Sequence, residues 1–212
     1  MIGVASVEYP VVSATGIFIS LADPRIVRLL REGGLGVLPS DTVYGVMCLA
    51  QDESAVARLY EVKHRENKPG TLIAANIQQL VDLGLKQRYL KAVERFWPGA
   101  VSVRIPHPPH YLTDPSNGTI AVRIPDAKEL LDLLGKTGAL QTSSANLAGH
   151  PVATKLSEAQ DYFGDSVDFY VEGGDLSDRP PSTIIQIVDD TIEVIRDGAV
   201  KFDEYGNVIA DK

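Results

Sequence analysis

Four short segments of the chain combine hydroxyl side chains, small residues and cations. They are residues 39–45, 63–70, 119–126 and 141–149. Hydroxyls, exposed backbone N–H groups and Lys or Arg side chains are the groups that hold phosphate oxygens in proteins. Taken singly, each segment could be an ordinary turn or a solvated charged surface, because turns are rich in Ser, Asn and Gly. Four such segments in one acidic chain favour a binding site for a polyphosphate.

The composition excludes several other classes of protein. The chain has 20 Lys+Arg and 28 Asp+Glu in 212 residues, a formal net charge of −8. Because affinity for nucleic-acid backbones comes from neutralised phosphates, this balance argues against nucleic acid as the primary ligand. The single cysteine, Cys48, excludes an intramolecular disulfide and a Cys-rich zinc site. No stretch approaches the 18 apolar residues of a membrane span and no basic leader precedes Arg25, so we predict a cytoplasmic location with no membrane partner.

Three other patterns suggest chemistry that their context does not support. Gly135-Lys136-Thr137 resembles the end of a phosphate loop, but it follows a helical run, so we interpret it as a helix C-terminus. His107 and His110 lack a third ligand nearby, and we predict no metal site there. Cys48 stands in an apolar run and is predicted to be a small buried side chain instead of a nucleophile.

The spacing of apolar residues predicts the elements that must position these segments. An arm or edge strand precedes residue 20, and Asp23 caps a helix that begins at Pro24 and ends at Gly33. Further helices are predicted at 52–64, 77–83, 89–96, 127–134 and 156–163, and strands at 35–38, 71–75, 101–105, 120–124, 139–142, 167–171, 183–188 and 191–195. Helices alternate with strands early and hairpins appear later. This order predicts an α/β fold in a single domain over residues 1–212, with a twisted mixed parallel and antiparallel sheet flanked by helices.

Seven sequence blocks between residues 25 and 200 form a more specific pattern than the polar segments alone. They are Ser-Asp-Thr-Val-Tyr-Gly at 40–45, Lys-x-Arg at 63–65 with Lys-Pro at 68–69, Trp-Pro-Gly at 97–99, Thr-Ile-Ala-Val-Arg-Ile-Pro at 119–125, Ser-Ala-Asn-Leu-Ala-Gly at 144–149, Ser-Thr-Ile at 182–184 and Arg-Asp-Gly at 196–198. In these blocks and in their order, the chain resembles the short form of the YrdC-like threonylcarbamoyl-AMP synthases. It departs from that pattern at Glu66, Val152 and Asp197, and the extra C-terminal domain of the longer family members is not expected here.

The resemblance implies a reaction, a cavity and a set of site residues. ATP, threonine and bicarbonate or CO₂ would give threonylcarbamoyl-AMP and pyrophosphate, with Mg²⁺, as the first step towards threonylcarbamoyladenosine in tRNA. The adenylate would pass to separate transferase proteins, and tRNA binding by this chain would be weak or indirect. A concave anion-binding cavity would hold the substrates.

The family's functional residues carry over to eleven positions of this chain. Lys63, Arg65 and Lys68, just past a helix, would grip the phosphates as catalytic groups, and Thr119, Ser144 and Arg196 would complete the nucleotide site, with Asn146 orienting the Ser144 loop. Thr42, Arg123, Thr142 and Ser182 would surround the threonine, and the guanidinium of Arg123 would meet its carboxylate.

Two other functions remain open at this point. The chain could be a binding module of the same fold that recognises RNA or a nucleotide without making an adenylate. It could also transfer a carbamoyl group to a different amine.

Overall fold

A computed structural model describes residues 16–64, 70–108, 110–189 and 191–209. Within these ranges the helices are α1 (Pro24–Arg31), α2 (Glu53–Val62), α3 (Ile77–Asp82), α4 (Gln87–Val93), α5 (Lys128–Thr137) and α6 (Leu156–Phe163). The strands are β1 (Gly16–Phe18), β2 (Gly36–Leu38), β3 (Gly45–Leu49), β4 (Thr71–Ile73), β5 (Val101–Pro106), β6 (Thr119–Arg123), β7 (Leu140–Ser144), β8 (Phe169–Val171), β9 (Thr183–Val188), β10 (Thr191–Arg196), β11 (Lys201–Phe202) and β12 (Val208–Ile209). No helix in these ranges is long and apolar enough to cross a lipid bilayer.

Ten of these strands form one sheet, in the order β1-β8-β2-β3-β7-β4-β6-β5-β9-β10. Neighbours pair in parallel at β1/β8, β8/β2, β4/β6 and β5/β9, and antiparallel elsewhere. Strands β11 and β12 form a separate antiparallel pair. The predicted mixed α/β sheet with flanking helices is confirmed.

Helix starts follow the capping residues in the sequence. The carboxylate of Asp23 accepts a hydrogen bond from the backbone N–H of Arg25 at 2.9 Å, and Asp52 does the same for Ala55 at 3.0 Å. Such caps satisfy N–H groups that have no partner within the helix. Because these signals are local, the predicted starts of α1 and α2 are confirmed.

Two apolar clusters cover the sheet unequally. The larger packs α2, α3, α4 and α6 against one face, through side chains such as Leu59, Leu80, Val103 and Val122. The smaller packs α1 and α5 against the opposite face near β1, β8 and β2. Met47 and Ile73 belong to the smaller cluster and also line a cavity on that second face. The cavity therefore begins where the cover provided by α1 and α5 ends.

Strand β3 is missing from the sequence-based prediction, which is wrong at this point. Its sequence, Gly-Val-Met-Cys-Leu, does not alternate between polar and apolar residues. Val46 and Cys48 face the larger cluster and Met47 the smaller one, so both faces of β3 are buried. A strand buried on both faces gives no period of two. The pair β11/β12 was also not predicted, and the part of the predicted N-terminal arm before Gly16 lies outside the described residues.

Candidate active site

A cavity of about 830 Å³ lies over strands β3, β7, β4, β6, β5 and β9. Side chains alternate along a strand, so every second residue of each strand faces it. The pairing register places Thr71 opposite both Thr142 and Ala121, and Ile73 opposite Arg123. Eight of the eleven predicted site residues line this cavity: Thr42, Thr119, Arg123, Thr142, Ser144, Asn146, Ser182 and Arg196.

Two glycines keep the floor of the cavity open. A Cβ atom at Gly45 would lie 2.6 Å from Oγ1 of Thr142, and one at Gly70 would collide with the Thr142 carbonyl oxygen. A side chain at Gly70 would displace the backbone of β7, and one at Gly45 would displace the side chain of Thr142. Both glycines and the Thr142 side chain line the cavity.

Arg123 is a buried cation that forms an ion pair and hydrogen bonds within the protein. Its side chain is 5% exposed, and one terminal nitrogen donates to a carboxylate oxygen of Asp41 at 2.7 Å. The other donates to Oγ1 of Thr42 at 3.3 Å. Burial lowers the pKa of the Arg123 guanidinium, and the Asp41 carboxylate opposes that shift. Within the described part of the chain, these contacts use two of the five N–H donors of Arg123.

Asp41 also joins this group to the start of α5. Its second carboxylate oxygen accepts from the backbone N–H of Asp126 at 3.0 Å. Next to it, the hydroxyls of Ser40 and Thr42 lie 3.1 Å apart, and Ser40 donates to the carbonyl of Val43 at 2.7 Å. These hydrogen bonds hold the segment 39–45 in place.

Lys63 does not lie where the sequence predicts. It follows the last residue of α2 and is only 3% exposed, so the alternative of a solvated charged surface is wrong for this residue. Its ammonium group donates to the carbonyl oxygens of Ser144 and Asn146, and to Oδ1 of Asn146 at 3.1 Å. It is not among the residues that line the cavity. Lys63 holds the 144–146 segment from behind.

The same segment is tied together by its own side chains. The hydroxyl of Ser144 donates to Oδ1 of Asn146 at 2.7 Å. The amide nitrogen of Asn146 donates to the carbonyls of Leu147 at 3.1 Å and His150 at 2.8 Å. This geometry fits the predicted orienting role of Asn146. The other two predicted cations, Arg65 and Lys68, lie outside the described residues.

Ser182 and Arg196 meet at the β5/β9 side of the cavity. Arg196 donates to the carbonyl of Ser182 at 2.6 Å and to its hydroxyl at 3.2 Å. The Ser182 hydroxyl lies 3.0 Å from that of Ser102, which is fully buried. Thus a guanidinium and a pair of hydroxyls form one connected polar group.

Thr119 is held by the loop that precedes it. Oδ1 of Asn117 accepts from both the backbone N–H and the hydroxyl of Thr119, at 3.0 and 2.6 Å. Asn117 in turn donates to Asp114 at 3.0 Å. Burial raises the pKa of Asp114, but hydrogen bonds from Ser116 and the charge of Arg104 outweigh it, and the net shift is downward.

Sequence reasoning missed Asp41, Ser102, Arg104 and Asn117, although all four belong to these polar groups or line the cavity. The sequence pattern of β5 indicated two of them, Ser102 and Arg104. Ser102 and Arg104 alternate with the buried Val101, Val103 and Ile105 along β5, which places them on the face opposite the core. Asn117 gave no such signal, because its loop has no periodic pattern.

Comparisons with known proteins agree with this geometry. The Sua5/YciO/YrdC family model, which carries the description "Telomere recombination", matches residues 28–198. A threonylcarbamoyl-AMP synthase of Pseudomonas aeruginosa is 35% identical over 175 residues, which cover 80% of this chain and 93% of that protein. One of Bacillus subtilis is 31% identical over 201 residues, which cover 90% of this chain and 58% of that protein.

A solved structure extends the likeness to three dimensions. The crystal structure of P. abyssi Sua5 complexed with L-threonine has a TM-score of 0.78 at 28% sequence identity, and the match covers 88% of this chain and 58% of that one. The family match over residues 28–198 includes the cavity strands from β3 to β10. This chain belongs to the Sua5/YciO/YrdC family.

Proposed function

We propose that this chain is a threonylcarbamoyl-AMP synthase, which converts ATP, L-threonine and bicarbonate or CO₂ into threonylcarbamoyl-AMP and pyrophosphate. The observation that carries the proposal is that one cavity is lined by all four residues predicted for the amino acid and by four of the seven predicted for the nucleotide, namely Thr119, Ser144, Asn146 and Arg196. The names of the relatives that are 31% and 35% identical, and the L-threonine in the P. abyssi structure, support the same activity.

The reaction requires the protein to position two anionic reactants and to neutralise their negative charge. The amine of threonine combines with CO₂ to form a carbamate and releases a proton. A carbamate oxygen then attacks the α-phosphorus of ATP, and the bond from that phosphorus to pyrophosphate breaks. The two anions must be held in line while negative charge grows on the leaving group. This scheme needs no nucleophilic side chain, and burial raises the pKa of the fully buried Cys48 far above its usual range.

The threonine would lie between Arg123 and the hydroxyls of Thr42, Thr142 and Ser182. The N–H donors of Arg123 that neither Asp41 nor Thr42 uses would meet its carboxylate. Met47 pairs in register with Thr142, and Ile73 with Arg123, so these two apolar side chains stand beside the polar set. We assign them to the methyl group of threonine.

The nucleotide would lie against Thr119, Ser144 and Arg196, with Arg65 and Lys68 at its phosphates. Lys63 would act through the Ser144–Asn146 segment, whose oxygens it holds. Mg²⁺ binds mainly through substrate phosphates in such sites. Among the described residues that line the cavity, Asp114 alone carries a carboxylate, and both its oxygens accept hydrogen bonds. Mg²⁺ would therefore enter the site bound to ATP.

A test of the proposal is the dependence of pyrophosphate release on the amino acid supplied. Purified protein is given ATP, Mg²⁺ and bicarbonate with threonine, with serine or with neither. Threonine should give the fastest release and serine a rate lower by about 10- to 200-fold, because one methyl group in an apolar pocket is worth about 1–3 kcal/mol. Equal rates in the three mixtures would contradict the proposal.

A further inference from the structure

Strand β5 brings an arginine to the cavity that the sequence blocks do not include. Arg104 is partly exposed and lines the cavity on the same strand face as Ser102. Its direct neighbour across the β5/β6 pair is Ala121. Because the alanine side chain is so short, the long side chain of Arg104 has room above β6.

Arg104 differs from the other two arginines that line the cavity. Arg123 donates to Asp41 and Thr42, and Arg196 donates to Ser182. The side chain of Arg104 makes no hydrogen bond or ion pair with any residue in the described part of the chain, although its charge contributes to the lowered pKa of Asp114.

Asp114, whose pKa the charge of Arg104 helps to lower, makes its hydrogen bonds to other residues. One oxygen of Asp114 accepts from the backbone N–H and the hydroxyl of Ser116, at 2.9 and 2.6 Å. The other accepts from Asn117 at 3.0 Å. Asp114 is thereby held by hydrogen bonds to its own turn, and no carboxylate among the described residues forms an ion pair with the guanidinium of Arg104.

The position of Arg104 suits a ligand group other than the threonine carboxylate. Arg104 faces Ala121, which lies two residues before Arg123 along β6. One strand spacing and two residues of rise separate the Cα atoms of the two arginines by about 8 Å. Asp41 and Thr42 hold the guanidinium of Arg123 on the β6 side, whereas no described residue holds that of Arg104, so the two arginines can bind two different anionic groups.

We propose that Arg104 binds a phosphate group of the nucleotide, as an additional nucleotide-binding residue of this chain. The planar guanidinium of an arginine can donate two parallel hydrogen bonds to phosphate oxygens. Thr119 and Asn117, which stand on the same side of the cavity, supply polar neighbours for that group. The inference rests on the proposed function in one respect, namely that ATP occupies this cavity.

The test measures equilibrium binding of ATP and of adenosine by calorimetry, for the wild-type protein and for Arg104→Ala and Arg104→Lys. Arg88→Ala is the matched control, since Arg88 lies exposed on α4 and contacts the neighbouring Tyr89. Arg104→Ala should weaken ATP binding by about tenfold to a hundredfold and leave adenosine binding unchanged. Arg104→Lys should restore part of the loss, and Arg88→Ala should match wild type. Circular dichroism and thermal midpoints check that each variant is folded.

Other outcomes overturn the inference. Unchanged ATP affinity in Arg104→Ala would show that the guanidinium does not contact a phosphate. An equal loss for ATP and adenosine would assign Arg104 to the base or to the structure of the wall, and a rise in KM for threonine alone would assign it to the amino acid. Product analysis separates this failure from that of the proposed function. A wild-type protein that binds ATP through Arg104 yet forms no adenylate would refute the synthase and retain the phosphate contact.

Discussion

Lys63 shows that a cation can support a ligand site without lining it. Its buried ammonium group donates to oxygens of Ser144 and Asn146, and so fixes a segment whose other side faces the cavity. Its predicted importance thus follows from a different contact than the sequence implied. Ser144 is 81 residues after Lys63 in the sequence, so no local sequence pattern could predict this contact.

Replacing Lys63 by Met keeps the length of the side chain and removes its charge. We expect a loss of about 1.5–3 kcal/mol in the free energy of unfolding, because hydrogen bonds from a charged donor to buried oxygens are lost. Pyrophosphate release should fall at least tenfold through the displaced Ser144 segment. Urea unfolding and a turnover assay measure the two effects. If the variant keeps wild-type stability and wild-type turnover, Lys63 does not support the Ser144 segment.

The residues predicted to bind threonine were easier to identify from the sequence than the residues that form hydrogen bonds with them. Thr42 and Arg123 stand in blocks that the sequence displays, and both line the cavity. Asp41 lies beside Thr42 in sequence, but its ion pair with Arg123 spans 82 residues and depends on how the 39–45 segment meets β6. Residue types therefore predicted residues that line the cavity, whereas the ion-pair partner of Arg123 could be identified only from the fold.

At the scale of elements, the helices and the alternating strands were predictable from the sequence and β3 was not. Strands β5 and β6 have clear alternation because one face meets the core and the other meets the cavity. That alternation is also what exposes the cavity-facing side chains of both strands. The order of the sheet, in which β7 lies between β3 and β4, comes from long-range pairing that no local pattern contains.

Two glycine substitutions test how tightly the cavity strands approach each other. In Gly70→Ala the new Cβ collides with the Thr142 carbonyl, so β4 and β7 must separate and the protein should lose more than about 2 kcal/mol of stability. Gly135→Ala is the matched control, because Gly135 is an exposed position inside α5 with open space around it. That change should stabilise the protein by about 0.5–1 kcal/mol. Denaturant titrations that gave the two variants equal stability would contradict the packing described for β4 and β7.

For the whole molecule, stability at high pH depends on buried tyrosines. Burial raises the pKa of Tyr44 and of Tyr170 to about 12 from an ordinary value of 10. Tyr44 donates to the carbonyl of Gly174 at 2.9 Å and accepts from the N–H of Gly173 at 2.8 Å, which ties the 39–45 segment to the turn after β8. The folded structure therefore favours the protonated form of the Tyr44 hydroxyl, which donates the hydrogen bond to Gly174.

The direction of the pH effect follows from these shifts. The folded protein holds the tyrosine protons more tightly than the unfolded chain does, so their contribution is complete below pH 10 and is lost as the pH rises towards about 12. Unfolding free energies measured from pH 8 to pH 11.5 should fall above pH 10. Tyr44→Phe and Tyr170→Phe should each make that fall less steep. Identical slopes in wild type and both variants would show that other groups control the alkaline limit.

The net charge of the whole molecule also bears on tRNA. A charge of −8 repels a polyanion at long range, and the arginines of the cavity are assigned to small substrates. We expect weak binding of tRNA that weakens further with salt, and transfer of the adenylate only when transferase proteins are added. Filter binding across a salt series and an assay of tRNA modification by the chain alone measure both. Tight binding at physiological salt, or modification without other proteins, would contradict this expectation.

The most direct test of the central claim identifies the product itself. Purified protein is incubated with ATP, Mg²⁺, isotopically labelled bicarbonate and threonine, and the mixture is analysed by mass spectrometry for an adenylate that carries both the labelled carbon and threonine. The account predicts that this threonylcarbamoyl-AMP forms in step with pyrophosphate and disappears when any one substrate is omitted. ATP binding with no adenylate would indicate a binding module, and labelled carbamoyl transfer to another amine would indicate a different enzyme. Either result would contradict the assignment of this cavity to threonylcarbamoyl-AMP synthesis.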